Sequence, residues 1–291
     1  LHLLSRRQRQ MCIRDRGKMD LAKQKAICEI VDSSIKSFVN GLEARYESEI
    51  DNPEGVINAK KNNCFIAELG LEFMFYSAFV RSFDSSFGKV LENMGNSIAK
   101  LSYDVKGSIT SFLLPEQKQQ ISNLMSSYEL HHTAPDIAHY GQYECIIPPN
   151  ITSFEMTHPT DNYFYNPNKK EHYIIELKAG GDLDNKKSKA EKIAMLEEYF
   201  LLKNLLKDKP DNKIYLFFAT AYNKFGEDKI WRQERVRQFF AEEELLIGKN
   251  YWNFVCDDEN GFNIIFEQYR KSSEHIKKAL EKIKTMYFRM V

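Results

Sequence analysis

From Asp20, a suitable N-cap, the apolar residues Ile27, Ile30, Val31, Ile35, Phe38, Val39 and Leu42 recur at the spacing of one helix face. This pattern predicts an amphipathic helix. After the turn-like run Asp51-Asn52-Pro53-Glu54-Gly55, the segment 65–83 is apolar nearly all round, which predicts a helix buried on several sides. A further helix is expected over about 86–103, with Phe87, Leu91, Met94, Ile98 and Leu101 as its core stripe. Beyond Pro115 the pattern shifts to short β-rich runs at 143–147, 173–178, 214–219, 252–256 and 263–266. Helical stretches lie between and after them, at 184–207, about 228–246 and about 272–288. Strands alternating with helices after a helical N-terminal third predict an α/β core with a mixed central sheet flanked by helices. No internal repeat or low-complexity linker interrupts it.

Length and composition bound this picture. With 291 residues, 43% of them hydrophobic, the chain can bury a sizeable core, and residues 19–291 read as one domain. Residues 1–18 are set apart, because Met11-Cys12-Ile13-Arg14-Asp15-Arg16 looks like a translated library adapter and Met19-Asp20 offers a start. The competing reading is a basic leader, for which no clear apolar segment or cleavage site follows. No apolar run reaches the ~18 residues of a membrane span. Five scattered cysteines without CxxC spacing suit a reducing compartment and predict a cytoplasmic protein rather than a disulfide scaffold. With 41 basic and 41 acidic residues, the chain does not have the charge of a nonspecific nucleic-acid coat, so any DNA-binding surface must be local. Two basic groups qualify, Lys186, Lys187, Lys189 and Lys192, and Lys229, Arg232, Arg235 and Arg237, although either could be a solvated helix face.

The sharpest chemical feature is Ile174-Ile175-Glu176-Leu177-Lys178-Ala179-Gly180-Gly181, an apolar strand holding two charges. Burying charge is costly, so the placement asks for a reason. Side chains alternate along a strand, which puts Glu176 and Lys178 on one face at the strand's C-terminal end. Upstream, Ala134-Pro135-Asp136-Ile137 places a Pro-Asp before a strand-like run, and antiparallel pairing of that run with the Glu176 strand would bring two carboxylates together. Such a hard oxygen site suits Mg2+. Asp136 is the preferred second ligand. Asp161, in the Pro/Asn-rich stretch 148–170, is its rival.

Pro135-Asp136 with Glu176-Leu177-Lys178 resembles the motif of the PD-(D/E)xK nucleases. The likeness to TdeIII-type type II restriction endonucleases extends from about 65 to 256. It is carried by His132-Thr133-Ala134-Pro135-Asp136-Ile137-Ala138-His139-Tyr140-Gly141, Thr157-His158-Pro159-Thr160-Asp161-Asn162, the run from Glu176 to Lys187, Ala219-Thr220-Ala221-Tyr222-Asn223-Lys224-Phe225-Gly226 and Trp252-Asn253-Phe254-Val255-Cys256. The resemblance implies a restriction-endonuclease-like core and Mg2+-dependent cleavage of double-stranded DNA at a short palindrome-like site of the GGNCC type. It also implies a cognate DNA methyltransferase as functional partner. Many PD-(D/E)xK enzymes add a glutamate from an N-terminal helix, and Glu92 resembles that element. Glu92 shares a stripe with Gly88, Gly95 and Ala99, while Glu68 and Glu72 compete for the role.

In this reading Asp136, Glu176 and Glu92 hold metal, and Lys178 orients the attacking water. Lys186, Lys187 and Lys189 contact phosphates. Arg232, Arg235 and Arg237, on the later helix, read bases. One metal centre per chain and two strands to cut predict a homodimer. Two rival functions stand beside it, a structure-selective repair or recombination nuclease and a DNA-binding protein without turnover. His131, His132, His139, His158 and Cys145 match no zinc-ligand spacing and are expected to make polar contacts near the site or to DNA.

Overall fold

The computed structural model describes residues 19–143 and 155–288, with the backbone but not the side chain of Asp161. The elements run α1 (Leu21–Glu49), a 3-10 turn (Asn58–Asn62), α2 (Cys64–Ala67), α3 (Gly70–Ala99), β1 (Asp104–Ser111), α4 (Pro115–Glu129), α5 (Ala138–Gly141), β2 (Met156–Asn166), β3 (Glu171–Lys178), α6 (Asn185–Leu205), β4 (Lys213–Thr220), α7 (Glu234–Arg237), a second 3-10 turn (Glu242–Glu244), β5 (Leu245–Ile247), α8 (Lys249–Cys256) and α9 (Gly261–Phe288). These elements form two compact units, a sheet unit over residues 98–261 and a helical unit over 19–97 with 262–288. No described helix is long and apolar enough to cross a membrane.

In the helical unit the predicted stripe of α1 is buried except for Ile30, which is half-buried. Ile35, Phe38, Leu42 and Tyr46 pack with Phe75 and Phe79 of α3 and with Ile276, Ala279 and Ile283 of α9. Phe75, Phe79, Phe83 and Phe87 stand four residues apart on α3, and each stacks on the next at centroid distances of 5.3, 6.1 and 5.5 Å. This ladder crosses the place where the sequence suggested a break between two helices, so the expected helices are one continuous α3. The Ser86 hydroxyl turns back onto the Ser82 carbonyl at 2.8 Å and takes no part in a cap. The 65–83 segment is also less enclosed than its composition suggests. Phe65, Leu69, Phe73 and Val80 are exposed, and the break falls earlier, at Gly70, whose φ of +87° favours glycine.

The sheet has strand order β1-β2-β3-β4-β5. β1, β2 and β3 pair antiparallel in succession, and β3, β4 and β5 run parallel, so the sheet is mixed as expected. Alternation along the strands divides its faces. Ile174, Leu216 and Phe218 turn to one core with Met195, Leu196 and Phe200 of α6. On the alternate positions, Tyr173 stacks on Tyr215 at 5.5 Å and meets Phe254 of α8 edge-on at 4.9 Å.

Several sequence expectations need correction. The run 252–256, read as a strand from its aromatic and β-branched residues, is the last part of α8. Tyr251, Trp252, Val255 and Cys256 are buried on one helical face, and Asp257 caps it in the left-handed region at φ +49°. The run 263–266 lies in α9. The helix expected over about 228–246 is mostly loop, with only the short α7, the second 3-10 turn and β5. Tyr143 lies outside any strand, and 144–147 lie outside the described residues. Strands β1 and β2 and helix α4 were not anticipated, and β2 occupies part of the stretch read as an insertion.

Candidate active site

The two charges of β3 lie where the alternation places them. Glu176 and Lys178 share the face of Ile174, toward α6, at the point where the strand ends. Their side chains are only 15% and 31% exposed, so the charges need partners. Lys178 ion-pairs with Glu176 and also with Glu191 of α6 at 3.0 Å, which leaves its ammonium shared by two carboxylates. Burial pushes the Lys178 pKa down, but Glu176 and Glu191 together outweigh it and hold the group above the usual lysine range. Lys178 is therefore fully charged at neutral pH.

The turn after β3 aims α6 at this cluster. Gly181 has φ +65°, and a Cβ there would lie 2.6 Å from Thr220 Cγ2. At Gly180 a Cβ would meet the Tyr222 hydroxyl at 2.5 Å. The chain then enters α6 through Asp184, whose carboxylate accepts a hydrogen bond from the Lys187 N–H at 2.8 Å. Glu191 was missed by sequence reasoning. It lies 13 residues beyond Lys178, and only the packing of α6 on β3 brings the two together.

The strand expected to follow Pro135-Asp136 does not form. Asp136 is exposed and opens the short α5 through a local turn, its Oδ1 accepting from the Ala138 N–H at 2.8 Å. Its neighbours therefore do not pair with β3. The antiparallel partner of β3 is β2, in the register Asn162↔Ile175 and Tyr163↔Ile174. The next position on each strand is Asp161 on β2 and Glu176 on β3. The register of β2 on β1 shifts here, from Lys106↔Tyr163 to Ser108↔Pro159, so residues 160–162 bulge opposite Gly107. Flanking position 161, Thr160 Oγ1 and Asn162 Oδ1 are buried without a hydrogen-bond partner among the described residues.

A second acid of α6, Glu198, meets His158 of β2 at 2.9 Å. His139 Nδ1 is 3.0 Å from the Tyr128 hydroxyl, and His131 Nε2 is 3.3 Å from Gln238 Nε2. Among the described residues no group of three or more His, Cys, Asp or Glu side chains is arranged to hold a metal. Cys145 lies outside the described residues.

The basic groups separate into exposed and engaged members. Lys186 and Lys187 are exposed in the first turn of α6, and Lys189 is paired with Glu129 at 2.6 Å. Lys192 is not part of a surface patch. It is 1% exposed and bound to the equally buried Glu244. Arg232 and Arg235 are exposed, while Arg237 pairs with Glu242 at 2.8 Å. The three arginines do not ride a long helix, since α7 covers only Glu234–Arg237. Glu92 lies on α3 in the helical unit, and Asp136, Glu176 and Lys178 lie in the sheet unit.

No curated protein and no solved structure gives a significant match to this chain. The family described as type II restriction endonuclease, HinfI, matches residues 23–273, which include β3, its Glu176-Leu177-Lys178 and α6. With an α/β fold built on a mixed sheet and a matched segment that spans most of its length, the chain belongs to the HinfI family of type II restriction endonucleases and is a site-specific deoxyribonuclease.

Proposed function

We propose that the protein hydrolyses both strands of duplex DNA with Mg2+ held at the C-terminal end of β3. The observation that carries this reading is the Lys178 ammonium shared between Glu176 and Glu191. The carboxylates gathered at this strand end are hard oxygen donors, the kind that suits Mg2+. Glu176 would hold the metal. When bound, the metal supplies a water of lowered pKa and a positive charge opposite the scissile phosphate. Lys178 orients a water and offsets charge that develops on phosphorus oxygens. Glu191 keeps that ammonium in place.

For the second carboxylate we favour Asp161 over Asp136. Antiparallel pairing with the Glu176 strand, the argument first made for Asp136, applies to β2, and the register supports position 161 as the neighbour of Glu176. Glu92, on α3, remains a proposal that rests on the family resemblance alone. The resemblance to TdeIII-type enzymes supports a palindrome-like target of the GGNCC form, and with it a cognate methyltransferase and a cytoplasmic setting. Two strands to cut and one Glu176-Lys178 centre per chain support a homodimer. Lys186 and Lys187, exposed in the first turn of α6, are the proposed phosphate contacts, and the exposed Arg232 and Arg235 are the proposed readers of base edges.

The test is cleavage of a plasmid by Asp136→Asn and Asp161→Asn, with the fragment ends sequenced from the wild type. Asp161→Asn should lose cleavage and Asp136→Asn should keep it, with ends falling at one short symmetric sequence. Loss in Asp136→Asn alone would return the ligand to Asp136. Ends at unrelated sequences would remove the GGNCC proposal.

A further inference from the structure

The helical unit carries a polar groove that the reaction chemistry leaves unused. Two adjoining depressions of about 760 and 570 Å3 share Arg45 and Ser86 and lie between α1, α3 and the 3-10 turn that precedes α2. Among the described residues that line them are six serines, three asparagines and three cations, Arg45, Lys60 and Arg81, with no aspartate or glutamate. In a chain with as many acidic as basic residues, a lining that holds three cations, of which Arg45 alone is ion-paired among the described residues, is a local positive field. Lys60 and Arg81 form no ion pair among the described residues. Arg45 gives only its Nε to Glu49, at 2.9 Å, so its outer nitrogens remain for another acceptor.

The shape of the groove narrows what it would bind. From Ser33 to Arg45 it follows α1 over twelve residue steps, about 18 Å at 1.5 Å per residue. That is roughly five nucleotide steps of 3.4 Å along one strand, far longer than one free phosphate requires. Serine and asparagine offer small hydroxyl and amide groups that bond phosphate oxygens, and the guanidinium and ammonium groups neutralise phosphate. We propose that this groove is a second DNA-contact surface that holds the phosphodiester backbone without reading sequence. The inference rests on the DNA-cleavage reading and extends it to the helical unit.

The experiment measures binding of the full-length protein to a fluorescein-labelled 30-base-pair duplex of random sequence. Anisotropy is followed in EDTA from 50 to 200 mM salt. Lys60→Gln combined with Arg81→Gln should weaken binding about tenfold at the lowest salt, and should reduce the slope of log affinity against log salt by about 2. Gly41→Glu should weaken binding and Gly41→Gln should not, since a Cβ at Gly41 meets nothing within 4 Å and only the charge differs. If the double variant melts early, the Gly41 pair carries the test. Wild-type affinity and salt slope in folded variants, from an enzyme that still cuts plasmid, would overturn the groove and leave the cleavage reading intact. A wild-type protein that neither binds the duplex nor cuts plasmid would overturn both.

Discussion

Replacing Lys192 by methionine should destabilise the sheet unit by about 3 kcal/mol, the lower end of the range for breaking a buried ion pair. Lys192 and Glu244 have side-chain exposures of 1% and 2%, so neither charge can turn to water. Glu244 Oε1 also accepts from the Tyr140 hydroxyl at 2.8 Å, and its Oε2 accepts from the Ala241 N–H at 2.8 Å. These two bonds survive the substitution and soften the loss, which is why the lower end applies. The ammonium also lies 4.9 Å from the ring centroids of Tyr140 and Phe240, and methionine keeps the apolar stem against them. Urea unfolding of the variant should show the loss at unchanged m value. Adding Glu244→Gln should recover most of it, since the uncompensated charge is then gone. A single variant within about 1 kcal/mol of wild type, or a double variant no better than the single, would refute the reasoning. The pair also bears on the active site, because Lys192 is the residue after Glu191 and fixes the rotation of α6 that presents Glu191 to Lys178.

Glu191→Gln should lower kcat about tenfold while leaving DNA affinity near wild type, because Lys178 then has Glu176 alone to hold it in position. Single-turnover cleavage and duplex binding measured side by side separate the two, and an unchanged kcat would dismiss the positioning role. His172 is 3% exposed, with Nδ1 2.8 Å from the Tyr163 hydroxyl and Nε2 2.9 Å from Asn212 Oδ1. Burial, aided by Lys106 and Lys209 and only partly opposed by the Asn212 bond, holds its pKa below the usual 6.5. The unfolded chain therefore binds the proton more readily, so stability should fall as pH drops from above 6.5 through the lowered folded value. Melting curves between about pH 8 and 5 should be flatter for His172→Gln than for wild type. Equal slopes would remove His172 as the cause.

What the sequence discloses follows the strength of its local patterns. The stripe of α1 and the apolar runs of β3 and β4 stand out because burial on one face, or on both, leaves few alternatives. Strand β2 is hidden because His158, Pro159, Asn162 and the bulge at 160–162 break the alternation that marks a strand. The same feature explains the choice of Asp136, since a literal Pro-Asp is visible in the sequence whereas the register of β2 on β3 is not. Helix α8 misleads for another reason. Its aromatic and branched residues favour strands locally, and tertiary burial at 251, 252, 255 and 256 overrides them. The Glu176-Lys178 half of the site follows from strand alternation alone, while Glu191 depends on how α6 docks. Lys192 looks like surface charge beside Lys186, Lys187 and Lys189, because sequence spacing does not reveal how much of α6 is enclosed.

The central claim is that this chain cuts duplex DNA at the Glu176-Lys178 cluster. Its most direct test is a plasmid digest with Mg2+ by the wild type and by Glu176→Gln, with melting curves to establish that both are folded. The account predicts discrete fragments from the wild type, none in EDTA, and intact supercoiled plasmid with Glu176→Gln. Discrete fragments from a folded Glu176→Gln, or an uncut plasmid with the wild type, would contradict it.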